Sequence, residues 1–322
     1  MRAAYATSLN PDDPLAGLVV GDRPEPEPAP GWSTVQVKAV SLNHHDLWTL
    51  RGVGIKAEQL PMIIGCDAAG IDTATGQEVV VHGVISSDGW AGDETLDPGR
   101  SLLSEKHQGS LAELVRVPTR NLITKPDELS FAEAACLPTA WLTAYRMLFV
   151  NSSLRPGQTV LVQGATGGVA SACIMLSRVA GLRVWASART EQKQATALEL
   201  GAHQAFASGA RLPERVDAVM ETVGAATWSH SLKSLRPGGQ LVISGATSGA
   251  MPPAELNRIF FLQLQVIGST MGTAAELRDL MRLLVSTGLR PRIDRTLALA
   301  DVADGLAAMA AGDLVGKIVV EP

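Results

Sequence analysis

Cysteines and long hydrophobic runs are scarce in this sequence of 322 residues. The three cysteines, Cys66, Cys136 and Cys173, show no CxxC spacing, which argues against a disulfide framework and against a four-cysteine zinc lobe. No apolar run approaches the roughly 18 residues of a membrane helix, and the first residues lack the apolar stretch of a signal peptide. We therefore expect a cytoplasmic protein with buried thiols and no membrane partner.

Concentrated positive charge is also missing. The net charge is −5, and no run of Lys or Arg residues occurs. Such a chain lacks the basic patch that would hold a nucleic acid or an anionic membrane surface. The hydrophobic content of 46% allows a large core, and the length suggests about two domains of roughly 150 residues each. We expect a protein that acts on a small molecule and binds no nucleic acid.

The first third of the chain is rich in β-branched residues, glycine and proline. Segments such as "WSTVQVKAV" and "QEVVVHGV" alternate apolar and polar residues or run apolar briefly, which predicts strands of a small β-barrel-like domain. The polar segment 86–109 is either a lid over a site or disordered. The apolar end of the sequence, "GKIVV", predicts a last strand that returns to this domain.

The pattern changes after Lys125-Pro126, where an Ala-rich helical stretch begins. Apolar strands such as "TVLVQGA" and "RVWASA" then alternate with helical segments. Strands that alternate with helices predict a doubly wound parallel sheet with helices on both faces. We assign residues 1–123 and 271–322 to the barrel domain and residues 124–270 to the parallel-sheet domain.

A glycine-rich turn lies between a predicted strand and a predicted helix in "VLVQGATGGVASACIML". This is the context that a dinucleotide fingerprint requires, with small residues at 165, 167 and 170. Backbone N–H groups at the start of the helix then face a pyrophosphate with the positive end of the helix dipole. We predict that this turn binds the cofactor through Ala165, Thr166, Gly167, Gly168 and Val169.

The end of the second strand decides which nucleotide is bound. An NAD site expects an acidic residue there to bond the ribose 2′-hydroxyl, but the sequence reads Ser187, Ala188, Arg189, with Lys193 one turn further. A hydroxyl and two cations suit a 2′-phosphate. We therefore predict NADPH as the cofactor, with a solvated helix face at Arg189 and Lys193 as the alternative.

Ligands of open parallel sheets sit beyond the carboxyl ends of the strands. Two further apolar strands end just before small residues, in "VDAVMETVG" and "GQLVISGA". These positions predict further cofactor contacts at Val223, Gly224, Gly245 and Ala246.

Taken together, the motifs resemble the medium-chain dehydrogenase/reductase superfamily, most closely its zinc-independent quinone oxidoreductases and enoyl reductases. The resemblance covers nearly the whole chain and rests on "SLNHHDLW", "IIGCDAAGI", "CLPTAWLTAYRML", "VLVQGATGGVA", "LRPGGQLVISGATSG" and "GKIVV". It implies a GroES-like β-barrel domain for substrate, a Rossmann domain for the dinucleotide, and NADPH lying between the two.

The resemblance also bears on metal binding. In the zinc-dependent alcohol dehydrogenases that the chain resembles, three ligands hold the catalytic metal, and Asn43, Cys66 and Thr139 stand at their positions here. An amide, a thiol and a hydroxyl are a poor set for zinc. We therefore expect no metal, and a site built from Cys66 with His44 or His45 is the alternative.

The same comparison implies roles for the residues of "NHHD". Asn43 resembles an amide held near the ribose or the substrate oxygen, so we predict that it is catalytic. His44 stands where relatives place a cation against the pyrophosphate. His45 stands at a proton relay, and its imidazole is suited to donating a proton, with a hydrogen-bonded pocket histidine as the alternative. Asp46 is expected to pair with Lys317.

Two further expectations come from the resemblance alone. Thr143 resembles a cofactor contact near the nicotinamide. Relatives often dimerise through the last strand of the parallel sheet, here near "LQVIGST", so we expect a homodimer.

The reaction follows from the cofactor and from the changed ligand positions. Without a metal, no Lewis acid polarises a carbonyl, so the protein must rely on hydrogen bonds. Acceptors that take hydride easily are quinones and α,β-unsaturated carbonyls. We expect an NADPH-dependent reductase of such acceptors. An alcohol dehydrogenase of the same superfamily and a non-catalytic NADPH-binding structural or sensor protein are the alternatives.

Overall fold

The computed structural model describes all residues, Met1–Pro322, and the chain divides into two compact units. The first unit comprises Met1–Leu142 and Met271–Pro322, and the second comprises Thr143–Thr270. Residues 124–142, which we had expected in the parallel-sheet domain, therefore belong to the first unit. The physical reason is that the Lys125 ammonium pairs with the Glu78 carboxylate at 2.8 Å, which ties the start of this segment to the first unit.

The elements follow one another in chain order with short connections. The strands are β1 (Arg2–Ala6), β2 (Leu18–Asp22), β3 (Trp32–Ser41), β4 (Met62–Ile63), β5 (Ala68–Asp72), β6 (Glu78–Val81), β7 (Val84–Ile85), β8 (Ser101–Leu102), β9 (Leu114–Pro118), β10 (Leu122–Thr124), β11 (Thr159–Gln163), β12 (Arg183–Ala188), β13 (Gln204–Ala207), β14 (Val216–Glu221), β15 (Leu235–Ile243), β16 (Gln265–Gly268), β17 (Ile293–Ala298) and β18 (Lys317–Glu321). The α-helices are α1 (His44–Leu50), α2 (Phe131–Ala135), α3 (Leu142–Phe149), α4 (Gly168–Val179), α5 (Glu191–Glu199), α6 (Ala225–Ser234), α7 (Leu256–Phe261), α8 (Ala274–Thr287) and α9 (Val302–Ala311). None of these helices combines the length and the hydrophobicity that crossing a membrane requires.

The first unit is built mainly from antiparallel strands. Its largest sheet has the order β10-β6-β5-β3-β18-β17, with β9 paired to β3, and a smaller sheet has the order β2-β1-β4. Inward-facing aliphatic side chains of these strands form its core, among them Val35, Val37, Val79 and Val81. Segment 86–109 is folded, because β8 pairs with β7 and the Asp97 carboxylate accepts the Gly99 N–H at 2.7 Å.

The last strand returns to the first unit, as the sequence predicted. β18 pairs antiparallel with β3, with Val319 opposite Ser41. The turn before it requires glycine at 316, where φ is +85° and a side chain would collide with the carbonyl oxygen of Arg292. This return brings Lys317 beside the end of β3, where the candidate site begins.

The second unit is a parallel sheet with the order β13-β12-β11-β14-β15-β16. Counted along the chain, this order is third, second, first, fourth, fifth and sixth, the arrangement of a doubly wound dinucleotide-binding sheet. The predicted fold class is therefore confirmed. Strand β11 is buried along its whole length, which explains the apolar run at residues 160–162. The topological switch point lies between β11 and β14.

Candidate functional site

The glycine turn of the second unit joins β11 to α4. Gly164 follows the last residue of β11 with φ of +72°, and a Cβ there would lie 2.9 Å from Cγ2 of Val223. Only glycine adopts this conformation without cost. Gly164 was not among the residues predicted for the fingerprint, although a glycine directly after a buried strand was a signal for it in the sequence.

At Gly167, in contrast, a side chain would meet no obstacle within the protein itself. Its φ of −68° suits any residue, and the nearest atom to a Cβ at this position would be the Gly164 oxygen at 3.9 Å. Neither backbone conformation nor packing therefore requires glycine. The open space adjoins the start of α4, a helix of 12 residues whose first N–H groups have no side-chain cap. A pyrophosphate fits such a position.

The remaining predicted residues of the turn occupy the same region. Ala165 and Thr166 are buried, and the Ala165 N–H donates to the carbonyl oxygen of Ser187 at 3.1 Å. Gly168 and Val169, the first residues of α4, are half-buried. Contacts from this turn to a ligand would therefore come mainly from the backbone.

The loops after β14 and β15 lie at the same edge of the sheet. Gly224 has φ of +91°, and a Cβ there would be 2.5 Å from the Gly249 oxygen and 2.8 Å from Cα of Ala246. At Gly245 a Cβ would be 2.9 Å from the Thr222 oxygen. Val223, Gly224, Gly245 and Ala246 therefore pack closely at the carboxyl ends of the strands, where the sequence placed them.

The three residues predicted to select NADPH differ in exposure: Arg189 is exposed, Lys193 is half-buried and Ser187 is buried. Arg189 is exposed directly after β12 and has no hydrogen bond or ion pair. The Lys193 N–H donates to the Thr190 hydroxyl at 3.3 Å in the first turn of α5. Ser187, in contrast, is fully buried and its hydroxyl donates to the Gln163 side-chain oxygen. The Ser187 hydroxyl proton is therefore used within the second unit, because Ser187 lies opposite Gln163 on the neighbouring strand, and a contact of this side chain with the cofactor stays a prediction.

In the first unit, Asn43 precedes α1 and is buried. Its N–H donates to the Asp46 carboxylate at 2.8 Å, which caps the helix. Its side-chain amide donates to the Asp67 carboxylate at 2.7 Å and to the Ser41 carbonyl at 3.1 Å. Both amide protons are therefore used within this unit, which leaves Asn43 no side-chain donor for a substrate.

A single carboxylate, that of Asp67, organises the cluster around Asn43. It is fully buried and accepts the hydroxyl protons of Ser41 at 2.7 Å and of Thr139 at 2.6 Å, besides the Asn43 amide. The Lys317 ammonium lies 3.9 Å away. A buried charge is stable only when it is paired and hydrogen-bonded, and Asp67 meets both conditions.

Lys317 does not pair with Asp46 as we had expected. Its ammonium donates to the Leu42 carbonyl at 2.6 Å and to the Asn43 side-chain oxygen at 2.5 Å. Asp46 instead accepts the Asn43 N–H, and its second oxygen has no partner. The return of β18 beside β3 directs the lysine toward Asn43 and Asp67, which explains the difference.

Asn43, Cys66 and Thr139 stand where the zinc-dependent alcohol dehydrogenases carry their metal ligands, and their side chains lie close together. Cys66 Sγ lies 3.4 Å from the Thr139 hydroxyl and 3.7 Å from the Asn43 amide nitrogen. Burial, with the nearby Asp67 and Asp46 carboxylates, raises the pKa of the Cys66 thiol well above its ordinary value. A protonated thiol and an amide N–H facing the same point do not fit zinc, which binds thiolate, imidazole or carboxylate.

The two histidines occupy the first turn of α1. His45 is half-buried, with Nε2 at 3.3 Å from the Leu103 carbonyl and 3.2 Å from the Ser104 hydroxyl. Because a carbonyl only accepts, Nε2 carries the proton and Nδ1 is left without a partner. His44 is exposed. Thr143, the first residue of the second unit, is buried.

Burial raises the pKa of Asp46 to about 6, above its ordinary value of 3.8. The folded state therefore holds this proton more tightly than the unfolded state, and the stability that Asp46 confers at low pH is lost as pH rises from about 4 to 6. We predict that the gain in free energy of unfolding of Asp46→Asn over the parent is about 2 kcal/mol larger at pH 7.5 than at pH 4.5, because only part of the parent's loss has occurred at pH 4.5. Urea unfolding at both pH values measures this difference.

The exposed Asp127→Asn variant is the matched control for the loss of one carboxylate. A difference for Asp46→Asn that is equal at the two pH values would contradict the raised pKa.

Comparison with known proteins agrees with both units. Residues 29–127 match the family described as "Alcohol dehydrogenase GroES-like domain", and residues 168–286 match "Zinc-binding dehydrogenase". Crotonyl-CoA reductase of Streptomyces avermitilis is 29% identical, over 91% of this chain and 79% of its own length.

Solved structures extend the similarity to the whole chain. The crystal structure of an NAD-dependent alcohol dehydrogenase is 32% identical over 100% of both chains, with a TM-score of 0.92. The crotonyl-CoA carboxylase/reductase AntE, in complex with NADP, has the same fold, with a TM-score of 0.91 and 24% identity over 100% of this chain and 94% of its own. With the antiparallel unit, the parallel sheet and the glycine turn, these matches show that the chain belongs to the medium-chain dehydrogenase/reductase superfamily, among the zinc-type alcohol dehydrogenase-like proteins.

Proposed function

We propose that the protein is an NADPH-dependent, metal-independent reductase that transfers hydride to an α,β-unsaturated carbonyl or a quinone. The observation that carries this proposal is the hydrogen-bonded cluster around Asp67. In this cluster, the three positions that hold metal ligands in zinc-dependent alcohol dehydrogenases carry an amide, a thiol and a hydroxyl, which are unsuited to zinc. A dehydrogenase of this superfamily without a Lewis acid needs an acceptor that disperses the developing negative charge itself.

Among such acceptors, conjugated carbonyls have the better support. Crotonyl-CoA, named for the relative from Streptomyces avermitilis, is an α,β-unsaturated thioester. Hydride addition to its β-carbon spreads charge into the carbonyl, so that hydrogen bonds suffice for stabilisation. We therefore rank 2-enoyl thioesters and enones ahead of quinones.

NADPH would be held by the glycine turn at its pyrophosphate and by Arg189 at its 2′-phosphate, and it supplies the hydride. The complex of AntE with NADP supports this choice. His45 would donate the proton that completes reduction from Nδ1 when the ring is protonated on both nitrogens, because Nε2 keeps its own proton toward the Leu103 carbonyl, and Nδ1 then regains a proton from water. Asn43 acts as a positioning residue rather than a direct substrate contact, since both of its amide protons are used inside the unit.

We predict that the chelator-treated protein oxidises NADPH with a 2-enoyl thioester faster than with a benzoquinone, measured as the loss of nicotinamide absorbance. His45→Gln should lower kcat about 100-fold, the usual contribution of a positioned general acid, with little change in KM. Equal rates for the variant and the parent would assign the proton to water.

The outcome also separates the alternatives. Activity that requires added zinc, together with oxidation of simple alcohols, would favour the alcohol dehydrogenase reading that the 32% identical structure supports. NADPH binding without turnover of any acceptor would favour a structural or sensor protein.

Cofactor preference depends on Arg189 in this proposal. We predict that Arg189→Ala weakens NADPH binding by about 10- to 100-fold, because a charge-assisted hydrogen bond to the 2′-phosphate is lost, and changes NADH binding less than about twofold. Isothermal titration calorimetry with each nucleotide measures both affinities. The exposed Arg155→Ala variant in the same unit is the control. A parent protein that binds NADPH and NADH equally would refute the preference.

We also propose a homodimer that forms through β16, one of the two edge strands of the parallel sheet. An unpaired edge is a template for another strand. Val266 on β16 is 42% exposed, and Phe260 and Phe261 at the end of α7 are 67% and 79% exposed. Light scattering should give twice the chain mass of 33.8 kDa for the parent and one chain mass for Val266→Glu. Val19→Glu, at a valine of similar exposure on β2, should remain dimeric. A monomeric parent would exclude this interface.

A further inference from the structure

Three neighbouring strands of the second unit end in fully buried polar side chains. These are Ser187 on β12, Gln163 on β11 and Glu221 on β14, and the three strands lie side by side. Each strand is followed by a loop with residues of the proposed dinucleotide site: Arg189, the glycine turn, and Val223 with Gly224. A group that ties the three strand ends together therefore controls how these loops are placed.

The Glu221 carboxylate joins the end of β14 to the loop that follows it and to α6. Its carboxylate accepts the N–H groups of Val223 at 2.8 Å and Gly224 at 3.1 Å. It also accepts the Thr227 hydroxyl proton at 2.9 Å and the Ser231 hydroxyl proton at 2.6 Å, both from α6. Because a carboxylate only accepts, the Ser231 proton points to Glu221, and the Ser231 oxygen must accept any other hydrogen bond.

The Gln163 side-chain amide links Ser187 to Ser231, and its partners allow only one orientation of this amide. Its amide nitrogen donates to the Ser231 oxygen at 2.9 Å and to His230 Nδ1 at 2.9 Å. His230 Nε2 donates to the Ala210 carbonyl at 2.8 Å, so Nδ1 is the acceptor. The Gln163 oxygen accepts the Ser187 hydroxyl proton. Both amide protons and the amide oxygen are used, and no other arrangement of protons satisfies all partners.

We propose that Gln163 is a positioning residue of the dinucleotide site, and that it sets the affinity for the part that NADPH and NADH share rather than the preference between them. The inference rests on the proposed function, since it assumes a dinucleotide at the glycine turn. Gln163 is the residue directly before that turn, and its amide contacts Ser187 on β12 directly and Glu221 on β14 through the Ser231 hydroxyl. The Ser187 proton is committed to Gln163, so Ser187 supplies no donor to a 2′-phosphate.

Two variants test this inference by calorimetric titration with NADPH and with NADH. Gln163→Met keeps the length of the side chain and removes its hydrogen bonds, and it should weaken both nucleotides about 10- to 30-fold because buried groups lose their partners. Ser187→Ala should weaken both about threefold. In each variant the ratio of the two affinities should stay within about twofold of the parent ratio.

Val184→Ala is the matched control, because it removes two buried methyl groups from β12 away from the hydrogen-bonded chain. It should lower Tm and leave both affinities unchanged, which separates lost positioning from lost stability. Loss of NADPH affinity alone in Ser187→Ala, or parent affinities in both variants, would overturn the inference. If Gln163→Met does not fold, Ser187→Ala decides. A parent that binds neither nucleotide would instead refute the proposed function.

Discussion

The buried carboxylate of Asp67 is the constraint on which the first unit depends. It joins the end of β3, the segment before α3 and the last strand, because Ser41, Thr139 and Lys317 all direct donors or charge toward it. Leaving a buried charge unpaired costs about 3–5 kcal/mol, so these segments cannot move apart independently. The geometry of the residues around Asn43 follows from this requirement.

The second unit solves a similar problem in a similar way. Glu221 is buried like Asp67, and backbone N–H groups and hydroxyls satisfy it without any cation. In the first unit the Asn43 amide donates to the carboxylate directly, and in the second unit the Ser187 hydroxyl donates to Gln163, which contacts Glu221 through Ser231. Asn43 and Ser187, which have the chemistry of ligand contacts, are thereby committed to the protein itself.

The sequence predicted those features that depend on local pattern. Strand and helix periodicity was enough to predict the doubly wound parallel sheet, and the glycine turn lies between a strand and a helix as the pattern indicated. The local pattern was not enough for contacts between distant segments. Asn43 and Lys317 are 274 residues apart, and the burial of Ser187 depends on the register that sets it opposite Gln163. The first-unit placement of residues 124–142 likewise depends on tertiary contacts such as Lys125 with Glu78.

Buried and exposed residues therefore have separate tasks in this fold. The buried groups, such as Gln163 and Asp67, fix the strand ends and cannot change without leaving a partner unsatisfied. The exposed Arg189 and the half-buried His45 can change with little effect on packing, and they are the residues to which the proposed function assigns cofactor choice and proton transfer. This separation explains how a chain can share its fold with an NAD-dependent alcohol dehydrogenase and with crotonyl-CoA reductases. Function in such a family is set by a few exposed groups on a scaffold that must stay constant.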